Sequence, residues 1–450
     1  RNRTLSKLPT QTLNGEGGIP GCALASVLGC LRGSYRRHAV EGFHGNKGDP
    51  PGSSGACRVR QAAMRGRPDG LAEVRLADST PRLGEPTTWG RGRRICVARK
   101  GNMARIRKAG STMQTSLRGI SNRAAKDKEH RFGNLYGLLD ENFLKWCFLQ
   151  LKRDAAPGVD QVDFYEYQEN LDENIADLVE RLKQKNYRAK LVRRRYIPKI
   201  NGKLRPLGIP ATDDKVLQFA VAKILEAIYE EDFLDVSYGY RPGTGPQDAV
   251  RDLTRKLQFG RFSHIVEADI RGFFDNIDHN WMIRMLEERI NDKAFLRLIK
   301  KWLKAGILDI SGEVIHPATG TPQGGIVSPI LANVYLHYAL DLWFEKRIKR
   351  ECNGEALILR YADDFVCAFQ YQQDAESFYQ QLNERLGKFG LEVCPEKTRM
   401  LPFSRNMLKR SETFDFLGFE FRRALSRKFK PIIRRQKYRE KPKASARAVG

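Results

Sequence analysis

The sequence is poor in the residue patterns that build metal clusters or disulfide scaffolds. Its eight cysteines, spread over 450 residues, form no CxxC pair. Neither a thiolate zinc site nor a disulfide framework is therefore supported. Scattered reduced thiols fit a cytosolic setting. The seven histidines fall in no ligand-spaced cluster, which removes histidine-rich metal sites as well. Long apolar runs are missing too. The longest near the start, Cys22–Cys30, is far too short to span a bilayer. No signal peptide is evident, and no repeat recurs at a fixed period, which removes solenoids and propellers. Acidic residues are the minority, 53 against 79 Lys and Arg, for a net charge of +26. That excess implies a polyanionic partner.

The positive charge sits at the ends. Residues 1–110 hold 21 Lys/Arg against 7 Asp/Glu, residues 422–450 hold 12 against 1, and the stretch between is almost neutral. The first 110 residues also carry 18 of the 39 glycines and show little hydrophobic periodicity. They read as a disordered or poorly packed segment, with an RNA-binding basic arm, or a stretch that is no genuine module, as alternatives. The chain begins at Arg1 rather than Met and is expected to be a fragment or a processed product. At this length it is expected to form two or more domains.

Order is expected from Phe132–Leu151, where Leu135, Leu138, Leu139, Phe143, Trp146 and Leu149 recur at helical spacing. The spacing predicts a second helix through Leu171–Leu182 and a strand over Tyr187–Pro198. Asn201-Gly202 is a hairpin turn signal, and Leu204–Ile209 returns as the partner strand. Thr212 is placed to cap the next helix, with Asp213 and Asp214 in its first turn. His264–Ile270 reads as a strand with Asp269 near its exit, and Trp281–Leu308 as mostly helical. A loop, Thr319–Gly325, precedes a long helix starting at Ser328-Pro329, with Ser328 as cap. Leu357–Phe369 reads as a β-hairpin with Asp363 and Asp364 at or beside its turn. A helix over Asp374–Phe389 follows, and Phe414–Phe421 alternates like a strand. Mixed helices and antiparallel hairpins predict an α+β fold.

Adjacent like charges repel, so the Asp363-Asp364 pair gives the chain no stability of its own. A bound hard cation relieves the repulsion, because Mg²⁺ and Mn²⁺ prefer carboxylate oxygen; a solvated Asp-Asp turn is the bland alternative. If the strand that ends near Asp269 pairs with the hairpin, three carboxylates converge. Such a cluster suits two metal ions about 4 Å apart and an in-line phosphoryl transfer. Lys199 and Arg205, facing each other across a hairpin, supply a point charge and a bidentate fork for phosphate, or else are a solvated basic hairpin. Arg193, Arg194 and Arg195 are better suited to a nucleic-acid backbone. The Pro322-Gln323-Gly324-Gly325 turn lets a base or sugar lie close to its backbone.

These blocks, taken in order, closely resemble bacterial group II intron-encoded reverse transcriptases. The resemblance rests on APGVD at 156–160, RRRYIPKINGKLRPLGIP at 193–210, SYGYRPG at 237–243, ADIRGFFDNIDH at 268–279 and GTPQGGIVSPILANVYL at 320–336. RYADDF at 360–365, CPEKT at 394–398 and FDFLGFEF at 414–421 complete it. It covers roughly residues 130–421. It implies the right-hand polymerase fold of fingers and palm, with an antiparallel palm sheet and helices. The implied divisions are a helical N-terminal extension over 111–180, fingers and palm over 181–421, and a basic tail over 422–450.

By this resemblance Asp269, Asp363 and Asp364 hold two Mg²⁺ ions (or Mn²⁺), with the Ile270 carbonyl as a further ligand. Lys199 and Arg205 match the residues that hold the incoming dNTP. Phe274 matches the gate that excludes a 2′-hydroxyl, Gln323 lines the nucleotide pocket, Lys397 lies near the nucleotide, and Leu417 and Gly418 fall in the primer-grip hairpin. The implied partners are an intron RNA template, a DNA primer or target and dNTPs, without a membrane. The implied location is the bacterial cytoplasm, in contact with nucleoid and RNA. The family continues into an α-helical thumb that assists splicing. Only 29 residues follow Phe421, so the thumb is expected to be largely missing. RNA-directed DNA polymerase is the leading function. An RNA-binding splicing cofactor (maturase) and an inactive remnant open reading frame are the alternatives.

Overall fold

A computed structural model of the chain describes residues 114–198, 204–404 and 412–437. The basic segment 1–110, Lys199, the Asn201-Gly202 turn and residues 438–450 lie outside the described residues.

The first described element is a helix over 114–126. The helix Glu141–Leu149 begins where the Asp140 carboxylate accepts the Phe143 N–H, a local cap that the periodicity alone did not reveal. Its apolar face packs on two helices, Phe164–Glu169 and Leu171–Lys183. Phe148 stacks on Phe164 at 4.4 Å between ring centroids, and Ile175, Leu178 and Leu182 are buried.

Strands β1 (Val192–Pro198) and β2 (Leu204–Ile209) form the expected antiparallel hairpin. The strand begins at Val192, five residues later than the pattern predicts. The helix Thr212–Tyr229 then runs through the core, buried on nearly all sides. Thr212 is its first residue rather than its cap. Ala211 takes the cap position, and the Thr212 hydroxyl donates to the Val162 carbonyl instead. Asp213 and Asp214 lie at the positive end of this helix, where acids are favoured. Asp213 accepts from the Tyr167 hydroxyl and Arg181, and Asp214 from the Tyr187 hydroxyl. Burial pushes the Asp214 carboxyl up to about 6.

The helix Pro246–Phe259 leads to β3 (His264–Ala268). The stretch over 281–308, expected to be mostly helical, forms two helices, His279–Glu287 and Lys293–Leu303. Asp292 interrupts them, accepting the N–H groups of Ala294 and Phe295 as a new N-cap. The second helix is followed by the two-residue strands β4 (Ile307–Leu308) and β5 (Val314–Ile315). Strand order here is β2-β1-β4-β5, with β1 and β4 parallel.

The long helix opens at Ser328, with Val327 rather than Ser328 at the cap. It continues through two stretches of wider π geometry, His337–Asp341 and Phe344–Ile348, to Glu351. Strands β6 (Ala356–Tyr361) and β7 (Asp364–Phe369) form the Asp-Asp hairpin. The helix Gln372–Gly387 and β8 (Arg399–Pro402) follow.

These strands assemble in the order β6-β7-β3-β8, antiparallel throughout. One face packs on the helix Pro246–Phe259 and on the C-terminal strands through Leu253, Ile265, Leu359, Val366 and Phe421. The other meets the helix Gln372–Gly387, where Phe369 and Phe378 lie 5.2 Å apart. Burial on both faces explains why β6 and β7 read as continuous apolar runs rather than alternating ones.

The FDFLGFEF stretch, which alternation alone reads as one strand and the resemblance as a hairpin at Leu417-Gly418, is a hairpin. β9 (Phe414–Phe416) turns through Leu417 and Gly418 into β10 (Phe419–Leu425), and both turn residues have positive φ, 52° and 77°. That sign pattern is the I′ hairpin turn. Strand β11 (Pro431–Lys437) pairs with β10, so the basic stretch after Phe421 is sheet as far as residue 437. The described residues are α+β, with sheets that are antiparallel except for the short β1–β4 pair.

Candidate active site

The Asp-Asp hairpin closes on the pair Tyr361 and Asp364, which leaves Ala362 and Asp363 as a two-residue turn. Ala362 has φ +57°, a position where glycine is the usual residue. Antiparallel pairing of β3 with β7 ends at Ala268 opposite Phe365. One step further along that register, Asp269 lies beside Asp364. Two backbone bonds of 2.8 Å, Arg271 N–H to Glu392 O and Cys394 N–H to Asp269 O, pin Ile270 between them. The sheet thus brings Asp269, Ile270, Asp363 and Asp364 to one edge.

Electrostatics record the same convergence. Burial, then the charges of Asp363 and Asp269, push the Asp364 carboxyl up to about 6. Burial also raises Asp363, with Asp269 adding to the effect. Arg205 on β2 lowers both, so its guanidinium is within electrostatic reach of the hairpin. Buried and close to other acids, both carboxylates favour a nearby cation.

Lys397 meets that demand at one corner. Its ammonium is hydrogen-bonded to the Asp269 carboxylate, and this bond raises its own pKa. Among the described residues no three acidic, histidine or cysteine side chains close on a common point as a formed metal site. The donor set is nevertheless all hard oxygen, which suits Mg²⁺ or Mn²⁺. A cation, the Lys397 ammonium, already stands where Asp269 needs one. The residues fit a divalent metal.

The nucleotide-pocket candidates sit on two elements joined by backbone. Phe273 and Phe274 open a single helical turn, Phe273–Asn276, just after Asp269. Phe273 is buried against Tyr335 at 6.4 Å between centroids. Phe274 packs edge-on to Phe273 and is the less buried of the two. The loop before the long helix rests on this turn: Thr321 N–H donates to the Phe274 carbonyl, 2.8 Å. Gly320, at φ +89°, passes so close that a Cβ there would lie 2.7 Å from the Asp275 carbonyl oxygen. On its other side the loop meets β2, where Gly208 N–H donates to the Gln323 carbonyl, 2.5 Å. Gln323 is half-buried in this joint.

Arg205 is exposed, and its strand partner is Ile197 rather than the Lys199 expected to face it, because the β1–β2 register pairs Pro198 with Leu204. Arg193 and Arg194 are half-buried on β1 and Arg195 is exposed. Arg193 donates to Gln161, yet the Nε atoms of Arg193 and Arg194 are covered and meet no hydrogen-bond acceptor among the described residues. Leu417 packs on the sheet core while Gly418 stands open.

Two residues near the acids lie in the matched motifs SYGYRPG and RYADDF but carry no role assigned from the sequence. Tyr240 is exposed at φ +59°, and Asp363, Asp364 and Arg205 all act on its hydroxyl. Arg360 looks like one more charge in the run Leu357–Tyr361, but it is completely buried. Its sequence signal was an arginine inside an apolar strand, a residue almost never buried unless paired.

The reverse transcriptase (RNA-dependent DNA polymerase) family profile matches residues 197–421, half of the chain. Over 167 residues the chain is 47% identical to the group II intron-encoded protein LtrA of Lactococcus lactis subsp. cremoris, covering 37% of this chain and 27% of that protein. Protein YkfC of Escherichia coli is 35% identical over 250 residues, covering 48% of this chain and 64% of that protein. The chain therefore spans only part of the length of these relatives. Among solved structures, a telomerase from Candida albicans aligns at a TM-score of 0.41 and 14% identity, covering 57% of this chain and 48% of that one. That likeness is too loose to argue from. No helix among the described residues is long and apolar enough to cross a membrane.

Proposed function

The chain belongs to the reverse transcriptase (RNA-dependent DNA polymerase) family, and on that premise we propose that it is an RNA-directed DNA polymerase of the group II intron type. Its template is intron RNA, its primer the 3′ end of a DNA strand, and its substrates dNTPs. The observation that carries this reading is the register of β3 against β7, which runs Asp269 alongside Asp364 at the tip of the hairpin. A splicing cofactor alone requires no such convergence of acids.

The roles of the residues follow from their positions. Asp269, Asp363 and Asp364, with the Ile270 carbonyl, would hold two Mg²⁺ ions. When bound, such ions polarise the phosphate and stabilise the attacking and leaving oxygens. Arg205, across from the acids on β2, orients the triphosphate, with Lys199 expected beside it. Lys397 neutralises Asp269 and offers its ammonium to the same phosphates. Phe274 presents a ring edge toward the sugar, and Gln323 fixes the loop on which the base rests. Arg193, Arg194 and Arg195 contact nucleic-acid phosphates; three successive guanidinium groups on β1, with Arg195 exposed, support this. Leu417 and Gly418 carry the primer strand on their turn.

Extension of a DNA primer annealed to RNA tests the reading. Purified chain with dNTPs and Mg²⁺ should lengthen the primer, and a chelator should stop it. No product with either Mg²⁺ or Mn²⁺ would sink the proposal.

A further inference from the structure

Arg360 is fully buried, and all five of its N–H donors are used. Its Nε donates to Asp341 Oδ1 at 2.8 Å and one Nη2 hydrogen to Asp341 Oδ2 at 2.5 Å. The other Nη2 hydrogen goes to the Ser237 hydroxyl at 2.7 Å. Nη1 donates to Asn333 Oδ1 at 3.0 Å and to the Ala362 carbonyl at 2.8 Å. Asp341, Asn333 and Ser237 are themselves buried. The last contact matters most, because Ala362 is the turn residue immediately before Asp363.

A second arm of the same network reaches the turn from the opposite side. Asn333 Nδ2 donates to the Gly239 carbonyl at 2.7 Å. Gly239 lies so near the turn that a Cβ there would sit 2.2 Å from the Ala362 nitrogen. The flanking backbone, Tyr238 N–H to Arg360 O and Arg360 N–H to Val236 O, ties this segment to β6 as an extra edge. The left-handed Ala362 is thus held through its carbonyl by Arg360 and through its amide side by the Gly239 backbone.

A buried ion pair is weak evidence for stability, since well-packed apolar residues of similar volume often serve as well or better. What a fork with five fixed donors supplies is direction. We propose that Arg360, locked by Asp341, Asn333 and Ser237, is a positioning residue that sets the turn from which Asp363 and Asp364 reach the metal. It acts from behind the carboxylates, as outer partners orient first ligands in metal sites. The inference rests on the polymerase reading above.

The test pairs a variant that keeps the core filled with a metal measurement that needs no substrate. R360M/D341L replaces the ion pair by an apolar pair, and S237A removes one prop while leaving the ion pair in place. Three quantities are read: the melting temperature, the affinity for Mn²⁺ alone by electron paramagnetic resonance, and the rate of primer extension. The double variant should still melt cooperatively, bind Mn²⁺ ~10- to 100-fold more weakly and extend ~100-fold more slowly, the loss expected from a misplaced reacting group. Excess Mn²⁺ should recover part of that rate. S237A should shift Mn²⁺ affinity in the same direction by a smaller factor. If the double variant does not fold, S237A decides. Folded variants with wild-type Mn²⁺ affinity and rate would overturn the proposal. Asp363→Asn runs alongside as a control. If it too binds Mn²⁺ and extends like wild type, the polymerase reading fails and not the role of Arg360 alone.

Discussion

The Lys397 ammonium is bonded to the Asp269 carboxylate although 128 residues separate them in the chain. This bond places a cation on the acid expected to hold metal, so the two compete for one carboxylate. Lys397 is largely exposed, and an exposed pair is worth about 1 kcal/mol or less. Lys397→Met should therefore tighten Mn²⁺ binding to the free protein by up to about fivefold. The same change should raise the KM for dNTP, because the ammonium no longer meets the triphosphate. Metal titration and single-nucleotide kinetics check the two halves separately. A variant that alters neither would show that the pair is incidental.

Sugar selection separates two neighbouring rings. Phe274 is the less buried ring and Phe273 is packed into the core. Phe274→Ala should raise incorporation of ribonucleotide relative to deoxyribonucleotide with a smaller effect on total activity. Phe273→Ala should instead cost stability, roughly 3–5 kcal/mol for a core aromatic, and leave the ratio alone. Competition between rNTP and dNTP, with thermal melts of both variants, distinguishes them. The opposite pattern would make Phe273 the gate.

Acid should loosen the long helix through His337. Burial, reinforced by Arg360, Lys346, Arg241 and Lys128, lowers its pKa from 6.5 to about 3. The folded protein keeps the ring neutral while the unfolded chain protonates it below 6.5. Its contribution to stability is thus complete above pH 6.5 and lost as pH falls toward 3, by at most about 1.4 kcal/mol per pH unit. The raised acids Asp214 and Asp364 act with the opposite sign, since ionising them costs stability as pH rises toward 6. The difference between wild-type and His337→Phe melting curves across pH isolates the histidine. The variant should lose less stability on acidification, and parallel curves would contradict this.

Much of the site was legible because its parts are local. Apolar runs on both sides of Asp363-Asp364 predict a hairpin, and Leu204–Ile209 emerges as the strand expected. Convergence with Asp269 depended on strand pairing that the sequence suggests only through the strand endings. What stayed hidden depended on distant partners. Arg360 is buried because Asp341, Asn333 and Ser237 come to it from other elements; an arginine inside an apolar strand signals that a partner is needed but not which residues supply it. The break at Asp292 was masked because apolar residues continue at helical spacing on both sides. Alternation alone reads Phe414–Phe421 as one strand because Leu417 is an unusual turn residue, and only the resemblance places Leu417 and Gly418 in a hairpin. After Leu391–Cys394 the sequence supports only a short strand or turn, because Met400 is exposed and the alternation of β8 is short.

The most direct measurement is single-nucleotide addition to a DNA primer on an RNA template by the wild type and by Asp269→Asn, Asp363→Asn and Asp364→Asn. All four proteins are first shown to melt cooperatively. The wild type should add the templated dNTP, and each variant should slow that step by several orders of magnitude while the fold persists, since each removes a carboxylate from the edge where β3 meets β7. Near-normal addition by the Asp269 or Asp363 variant would contradict the assignment of this edge as the catalytic centre.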